Sequence, residues 1–461
     1  MSEEKQNGQF KKVIGLFGGI SLVAGMTIGS GIYYLGSYVL ERTSFSFGLA
    51  LLCWIIGGVI SVLGGLCFAE LGASRPVAGG MTIYLSEAYH PAVGFLNGFS
   101  SFLLVCSGST ASLAMAACTQ LQSVFGFSDI WVKVMAIAIL CAFTWINLRG
   151  VKLSVGVQNF TMVVRLIPLF LIIVLGCLLG KQNVDTSISF AGTTAAGKGF
   201  TGAVSLIAFA TFASLWAYEG WNNLNTISEE MKNPKRDLPL AIIISMLGIT
   251  AIYTLFNFAL YKVIPAEEIV AKIQAEDVYL GNTVAQQLLG SGGVTLVTIC
   301  IVIGILGTMN GGILVFPRIY YAMAKEGFFP KKFSNIDPKT GVPVEATLAA
   351  LVVAIILVIF NSLQQLTDLL IFVSAALNAM VVGAVIIYRK KFPDLERPYK
   401  VPGGIFTIIL TLIFFLVLVV NEFVSSPRSA FIGVAIFLSG LIVYFYYKKK
   451  NGGEYKGEGL E

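Results

Sequence analysis

Charge is what this sequence has least of. Asp, Glu, Lys and Arg make up 12% of 461 residues, against about 25% in soluble globular chains, which excludes an ordinary soluble domain. Histidine occurs once, at His90, so no histidine-based metal set or histidine relay can be assembled; before Pro91 at a helix start, its expected role is structural. The seven cysteines (Cys53, Cys67, Cys106, Cys118, Cys141, Cys177 and Cys300) all lie in or beside apolar runs, and none stands at a metal-ligand spacing. They read as buried bystanders, with no metal and no cofactor expected. Zinc-protease and Gly-x-Ser-x-Gly patterns are missing. Gly192-Thr-Thr-Ala-Ala-Gly-Lys198 fits most of a phosphate-binding loop, but Gly199 stands where a magnesium-binding Ser or Thr belongs, and no strand precedes it. The chain is therefore read as a non-enzyme. Its net charge of +6 is no nucleic-acid signature, because the basic residues sit in short loops between apolar runs.

What is abundant is hydrocarbon: 56% hydrophobic residues and a mean hydropathy of +0.82. Apolar runs occur at 12–38, 46–73, 91–121, 130–148, 152–180, 199–229, 238–263, 291–323, 343–361, 365–388, 403–424 and 429–447, each of a length that spans a bilayer. They predict an all-α integral membrane protein with twelve transmembrane helices and the lipid bilayer as its surroundings. The first run is too long for a signal-peptide core, so no cleavable signal is expected. Of the 31 Lys and Arg, 23 fall on one side of this topology and 7 on the other, with Arg165 inside the membrane. That bias predicts both termini in the cytoplasm and a multi-pass protein of the cell membrane, here a bacterial inner membrane. Between Ala266 and Leu289, Glu267, Glu268, Glu276 and Asp277 make the longest outside connection polar enough for amphipathic helices.

Two of the runs are interrupted. Gly29-Ser30-Gly31 lies about 17 residues into the first, and two glycines one residue apart are poor helix formers. A helix that opens in the membrane frees backbone groups, which is tolerated where it lines a cavity or ligand site; the N-terminus of the following half-helix then suits a carboxylate. The second interruption, Ala217-Tyr-Glu-Gly-Trp-Asn222, lies about 20 residues into the sixth run. Small residues also let membrane helices pack closely, but two breaks in corresponding halves, one with Glu219, favour a midplane site. The broken runs begin units of opposite orientation. The predicted organisation is therefore an N-tail at 1–11, a first inverted repeat at 12–180 (helices 1–5), a second at 199–388 (helices 6–10), helices 11 and 12 at 403–447, and a C-tail at 448–461.

Arg165 is the only Lys or Arg deep in an apolar run. A mid-membrane charge costs at least about 2.5–3.5 kcal/mol and marks a functional candidate. Its partners are either free carbonyls at a helix break or Glu219; snorkelling or a structural pair is the plain alternative. Glu219 could hold a substrate ammonium, neutralise Arg165 or face a water pocket. Trp216, just before the second break, either closes over a ligand or packs as an ordinary aromatic.

Several spaced motifs carry a resemblance. They are Gly29-Ser-Gly31, Glu70-Leu-Gly72 with Pro76-Val-Ala-Gly-Gly80, and Trp216-Ala-Tyr-Glu-Gly-Trp-Asn-Asn-Leu-Asn225. The last continues into Ser228-Glu-Glu-Met-Lys-Asn-Pro-Lys-Arg-Asp-Leu-Pro-Leu-Ala241, and Asn310, Pro317-Arg318 and Ala322-Met-Ala324 follow. Over its whole length the chain resembles the amino acid–polyamine–organocation (APC) superfamily and, within it, the L-type amino acid transporters and their prokaryotic homologues. The resemblance implies the LeuT/APC fold, a 5+5 inverted repeat with helices 1 and 6 broken, and sodium-independent uptake or exchange of amino acids by alternating access. It implies that backbone from Ile28 through Gly29, Ser30 and Gly31 takes the substrate carboxylate, with Thr27 also in the substrate site. Carbonyls of Trp216, Ala217, Tyr218 and Glu219 take its amino group, Gly220 belongs to the same site, Trp216 is the aromatic gate, and Asn223 faces the site. Sodium-coupled relatives of the fold hold an ion between helices 1 and 8, against carbonyls that the Arg165 guanidinium would meet instead.

Three departures stand out. The family usually has Lys where this chain has Arg165. Position 219 is often small in animal members. The loop Leu121–Ile130 lacks the cysteine by which animal members join a glycoprotein subunit, so no disulfide-linked heavy chain is expected. The expected function is exchange of small neutral L-amino acids; the alternatives are a carrier of cationic amino acids or polyamines, and a channel.

Overall fold

The computed structural model describes residues 10–29, 31–275, 280–361, 363–425 and 427–450. Glu276, Asp277 and most of both predicted tails lie outside the described residues. Within them the chain is helical and holds no strand; a single parallel bridge joins Ile14 to Met231. Eight helices are long and apolar enough to cross a membrane, and four further apolar helices, Leu16–Thr27, Gly199–Leu215, Val344–Phe360 and Gly404–Val417, are shorter.

The first apolar run divides into α1 (Leu16–Thr27) and α2 (Gly31–Arg42). Next come α3 (Phe47–Ser74), α4 (Met81–Ala88) and α5 (Pro91–Ser100). His90 caps α5, its Nδ1 accepting from the Ala92 N–H at 3.1 Å, the structural role expected of it. The third run is not one regular helix: α5 passes through a π-helical turn at Ser101–Val105 into α6 (Cys106–Phe125). The Ser107 hydroxyl donates five residues back, to the Phe102 carbonyl at 2.7 Å. Such turns are often found at functional sites.

Helices α7 (Asp129–Leu148) and α8 (Val151–Leu179) follow, and α8 carries Arg165. Helix α9 (Gly199–Ala217) stops at the second predicted break, and the chain resumes as a 3₁₀ helix at Trp221–Glu230. Beyond it are α10 (Pro234–Val263), α11 (Ala266–Gln274), α12 (Leu280–Val315, kinked at Gly290), α13 (Pro317–Lys325), α14 (Val344–Phe360), α15 (Leu363–Lys391), α16 (Gly404–Ser425) and α17 (Pro427–Lys450). Helix α11 is amphipathic, as its sequence predicts.

Helix α1 is wedged among α8, α10 and α12, while α3 lies along α10 and α12 along α8. Missing side chains allow this: a Cβ on Gly25 would lie 2.0 Å from the Gln158 amide, and one on Gly307 2.2 Å from the Arg165 guanidinium. Large apolar side chains instead face outward on the flanking helices, among them Trp131, Trp145, Phe160, Phe170, Phe360 and Phe406. Water would penalise that surface; a bilayer would not.

Candidate functional site

Both breaks form, and they meet. Helix α1 ends at Thr27; Ile28 leaves helical geometry (φ −75°, ψ 86°), and the Gly29 N–H turns back onto the Thr27 carbonyl at 2.9 Å. In the second break Gly220 has φ +125°, and a Cβ there would lie 2.7 Å from the Met26 carbonyl oxygen. One hydroxyl joins the two: Tyr253 of α10, fully buried, lies 3.3 Å from the Thr27 carbonyl and 3.1 Å from the Ala217 carbonyl. These are the last helical carbonyls before each break, which have no partner within their own helix.

Arg165, 2% exposed, spends its guanidinium on the first break. Nη1 donates to the carbonyls of Gly25 and Ile28 and to the Thr308 hydroxyl at 3.0 Å, while Nε donates to the Thr161 carbonyl at 3.3 Å. Thr308 of α12 itself donates to the Gly25 carbonyl at 2.9 Å. A fixed cation thus lies between the broken first helix and α12, held by backbone oxygens. Of the two partnerships open in the sequence, the carbonyls are the one formed. Beside it runs a polar ladder: Gln158 reaches the Ser21 carbonyl, Asn310 bonds Gln158 and the Ser154 carbonyl, and Asn147 bonds Asn310. Each amide thus bonds a group on another helix, as buried amides tend to.

Glu219 faces elsewhere. Its Oε1 accepts from Asn222 (3.3 Å), Ser374 (3.2 Å) and Asn378 (3.2 Å), so α15 rather than Arg165 holds it. Asn222 also donates to the Asn378 side-chain Oδ1 at 2.9 Å. Glu219, Asn222 and Ser374, with Asn97, Ser101, Ser109, Asn223 and Thr226, line a cavity of about 120 Å³. The π-helical turn supplies Ser101 and Val105 to it, so the irregularity in the third apolar run aims side chains into this space.

The remaining predicted residues are placed as follows. Thr27 and Ile28 are buried and give their carbonyls to Tyr253 and Arg165. Among the described residues a Cβ on Gly29 would meet nothing within 4 Å, whereas on Gly31 it would lie 3.3 Å from the Ala217 Cα. Ser30 lies outside the described residues. Trp216 belongs to α9, but its side chain lies outside the described residues. The Tyr218 hydroxyl donates to the Trp54 carbonyl at 2.9 Å and so points away from the breaks. Asn223 folds onto the Gly220 carbonyl at 3.1 Å, capping the second break at the cavity edge. Sequence reasoning missed Tyr253, Thr308, Gln158, Asn378 and Ser374. Their only signal was a polar group inside an apolar run.

A family profile described as amino acid permease matches residues 14–447. The serine/threonine exchanger SteT of Bacillus subtilis is 32% identical over 97% of this chain and 99% of its own length. The b(0,+)-type amino acid transporter 1 of Mus musculus is 32% identical over 97% of this chain and 91% of its own. The cystine/glutamate transporter of Homo sapiens is 29% identical over 95% and 86%.

Proposed function

The chain belongs to the amino acid permease family, and from that premise we propose that it exchanges small neutral L-amino acids across the cell membrane, without sodium, by alternating access. The observation that carries this reading is the Arg165 guanidinium lodged between the first break and α12. It sits where an ion would otherwise be needed to satisfy freed carbonyls, and it puts positive charge beside a carboxylate bound at that break.

In this reading the carboxylate sits against the N–H groups from Gly29 to Gly31, where no described residue lies within 4 Å of a Cβ on Gly29. The ammonium takes the carbonyls from Trp216 to Gly220, Trp216 closes over the ligand, and the side chain projects into the 120 Å³ cavity. That volume supports a small side chain, and its hydroxyl and amide lining a polar one. The eight long and four shorter apolar helices support twelve crossings in a 5+5 inverted repeat, and the Lys/Arg bias supports cytoplasmic termini. Cys118 is fully buried in α6 and the loop after it has no cysteine, so we expect no disulfide-linked partner. The relatives' names describe transporters and exchangers, and a transport cycle without bond chemistry is the reading adopted here.

One observation favours a second substrate class. Among the described residues the donors to Glu219 are the neutral Asn222, Ser374 and Asn378, which suits an amino acid with a cationic side chain. Proteoliposomes loaded with unlabelled amino acid and offered a labelled panel decide between the two. Serine-sized neutral substrates exchanging, with lysine and arginine ignored, supports the first; the reverse supports the second. Unitary currents in a planar bilayer, with no exchange, would instead make the protein a channel.

A further inference from the structure

The motif Pro76-Val-Ala-Gly-Gly80 and the pair Glu230 and Arg318 have no part in the site above, yet they converge on one point. The turn wedges between the 3₁₀ helix and α13. Gly79 N–H donates to the Thr226 carbonyl (3.1 Å), Ala78 N–H to Glu229 (3.1 Å) and Ser228 to the Val77 carbonyl (3.3 Å). Both glycines have positive φ, and a Cβ on Gly80 would lie 2.7 Å from the Asn225 backbone. Beneath the turn, Arg318 Nε donates to Glu230 Oε1 at 2.7 Å, with both side chains 1% exposed.

The segment before α1 closes over this pair. Val13 and Ile14 N–H groups donate to the Glu230 carbonyl at 3.0 Å, and Lys232 N–H returns to Ile14 at 2.8 Å. The Phe10 ring packs on Tyr321 and beneath the Arg318 guanidinium. Two cavities flank the arrangement. The 120 Å³ cavity touches Thr226 and Ile319; a second, of about 300 Å³, touches Glu229 and Ala322. Each residue of the second set lies three positions beyond its counterpart, one turn further along the same two helices.

Resting on the transport reading, we infer that the two cavities are successive stations on the substrate's inner path, and that Glu230–Arg318, covered by the Phe10–Ile14 strap and the Pro76–Gly80 turn, is the latch closing the way between them. The pair suits a latch because it is not a full fork. Glu230 Oε2 and Arg318 Nη2 have no hydrogen-bond partner among the described residues, so one direct charge-assisted bond, not two, must break at each opening. The Lys/Arg bias puts this end of the molecule in the cytoplasm.

Cys106 is a native reporter, since it lines the 120 Å³ cavity and is 5% exposed. Full-length protein in inside-out vesicles is treated with a membrane-impermeant maleimide, and labelling of Cys106 is read by mass spectrometry, with fully buried Cys53 as the unfolding control. Glu230→Gln and Arg318→Gln should each raise the Cys106 labelling rate about 10-fold by populating the open state, with Arg318→Lys between them and wild type and Cys53 unchanged. Phe10→Ala, which leaves the pair in place, should raise it less. Cys106 protection unchanged in all variants would overturn the latch. If Cys53 labelling rises in step in the Glu230 and Arg318 variants, Phe10→Ala decides alone: a rise confined to Cys106 supports the latch, and protection as in wild type overturns it. Labelling needs no transport, so a wild type that exchanges no amino acid would refute the proposed function while leaving this result readable.

Discussion

Gly29 and Gly220 stand on the two breaks for opposite reasons. Gly29 has no positive φ, and among the described residues nothing lies within 4 Å of a would-be Cβ, so none of them demands a glycine there, which fits the carboxylate site proposed at this break. Gly220 combines φ +125° with a Cβ position 2.7 Å from the Met26 carbonyl, so the fold itself demands it. Gly29→Val should therefore leave melting of the purified protein near wild type while abolishing exchange, because the side chain fills the carboxylate's place. Gly220→Ala should lower stability by about 1–3 kcal/mol through backbone strain. A thermal scan of both variants beside an exchange assay separates the cases, and Gly29→Val with wild-type apparent affinity would move the site elsewhere. Glu219 makes a different demand. If neutral substrates are native, Glu219→Gln preserves their exchange, since an amide oxygen still accepts from Asn222, Ser374 and Asn378. Loss of lysine or arginine uptake, with neutral uptake never present, would assign the acid to a cationic side chain.

Two half-helices can hold one ligand only if their ends keep register, and α10 keeps it through a single oxygen. Tyr253 ties the Thr27 and Ala217 carbonyls together, so Tyr253→Phe should weaken apparent substrate affinity by up to about 10-fold, at about 0.5–1.5 kcal/mol per hydrogen bond, with folding largely kept because the ring still packs against Trp54 and Tyr218. Unchanged affinity in equilibrium binding would show that the breaks hold register without it. The breaks themselves were legible because glycine in an apolar run is a local signal, and so were the amphipathic α11 and the His90 cap. Tyr253 was not, because its meaning depends on a contact with Thr27 across more than two hundred positions, and no periodicity within α10 distinguishes a bridging hydroxyl from a packed ring. The π-helical turn left no trace either: Ser101–Val105 contains neither Gly nor Pro, and the extra residue shows only when the helix is built. Arg165 falls between these cases. Its cost in the membrane marked it at once, whereas the choice between carbonyls and Glu219 waited on the placement of α8 beside α1.

At the scale of the whole molecule, a cycle that alternates access needs its broken helices held closed between turnovers, with or without a borrowed ion. Freed carbonyls at Gly25 and Ile28 would be costly to bury unpaired, and here a covalently attached cation meets them. Arginine keeps its proton at working pH, so a proton on this residue has no gradient to contribute, and in the proposed reading the guanidinium takes the place of a sodium ion. Exchange should then run in sodium-free buffer at its full rate, and an amino acid on the far side should accelerate it, since the loaded carrier returns where the empty one lags. Arg165→Ala should cut exchange severely, because it removes the charge, strips the Ile28 carbonyl of its partner at about 1–3 kcal/mol for a buried group left unsatisfied, and leaves the Gly25 carbonyl with Thr308 alone. Arg165→Lys should keep part of the activity: the ammonium retains the charge and a donor for one or two of these oxygens, but loses the planar fork that reaches Thr161 and the break together. If the Arg165→Ala variant recovers exchange on adding sodium, the ion has taken the vacated place and the replacement is direct. Strict sodium dependence in the wild type, or full activity of Arg165→Ala without sodium, would refute the built-in cation.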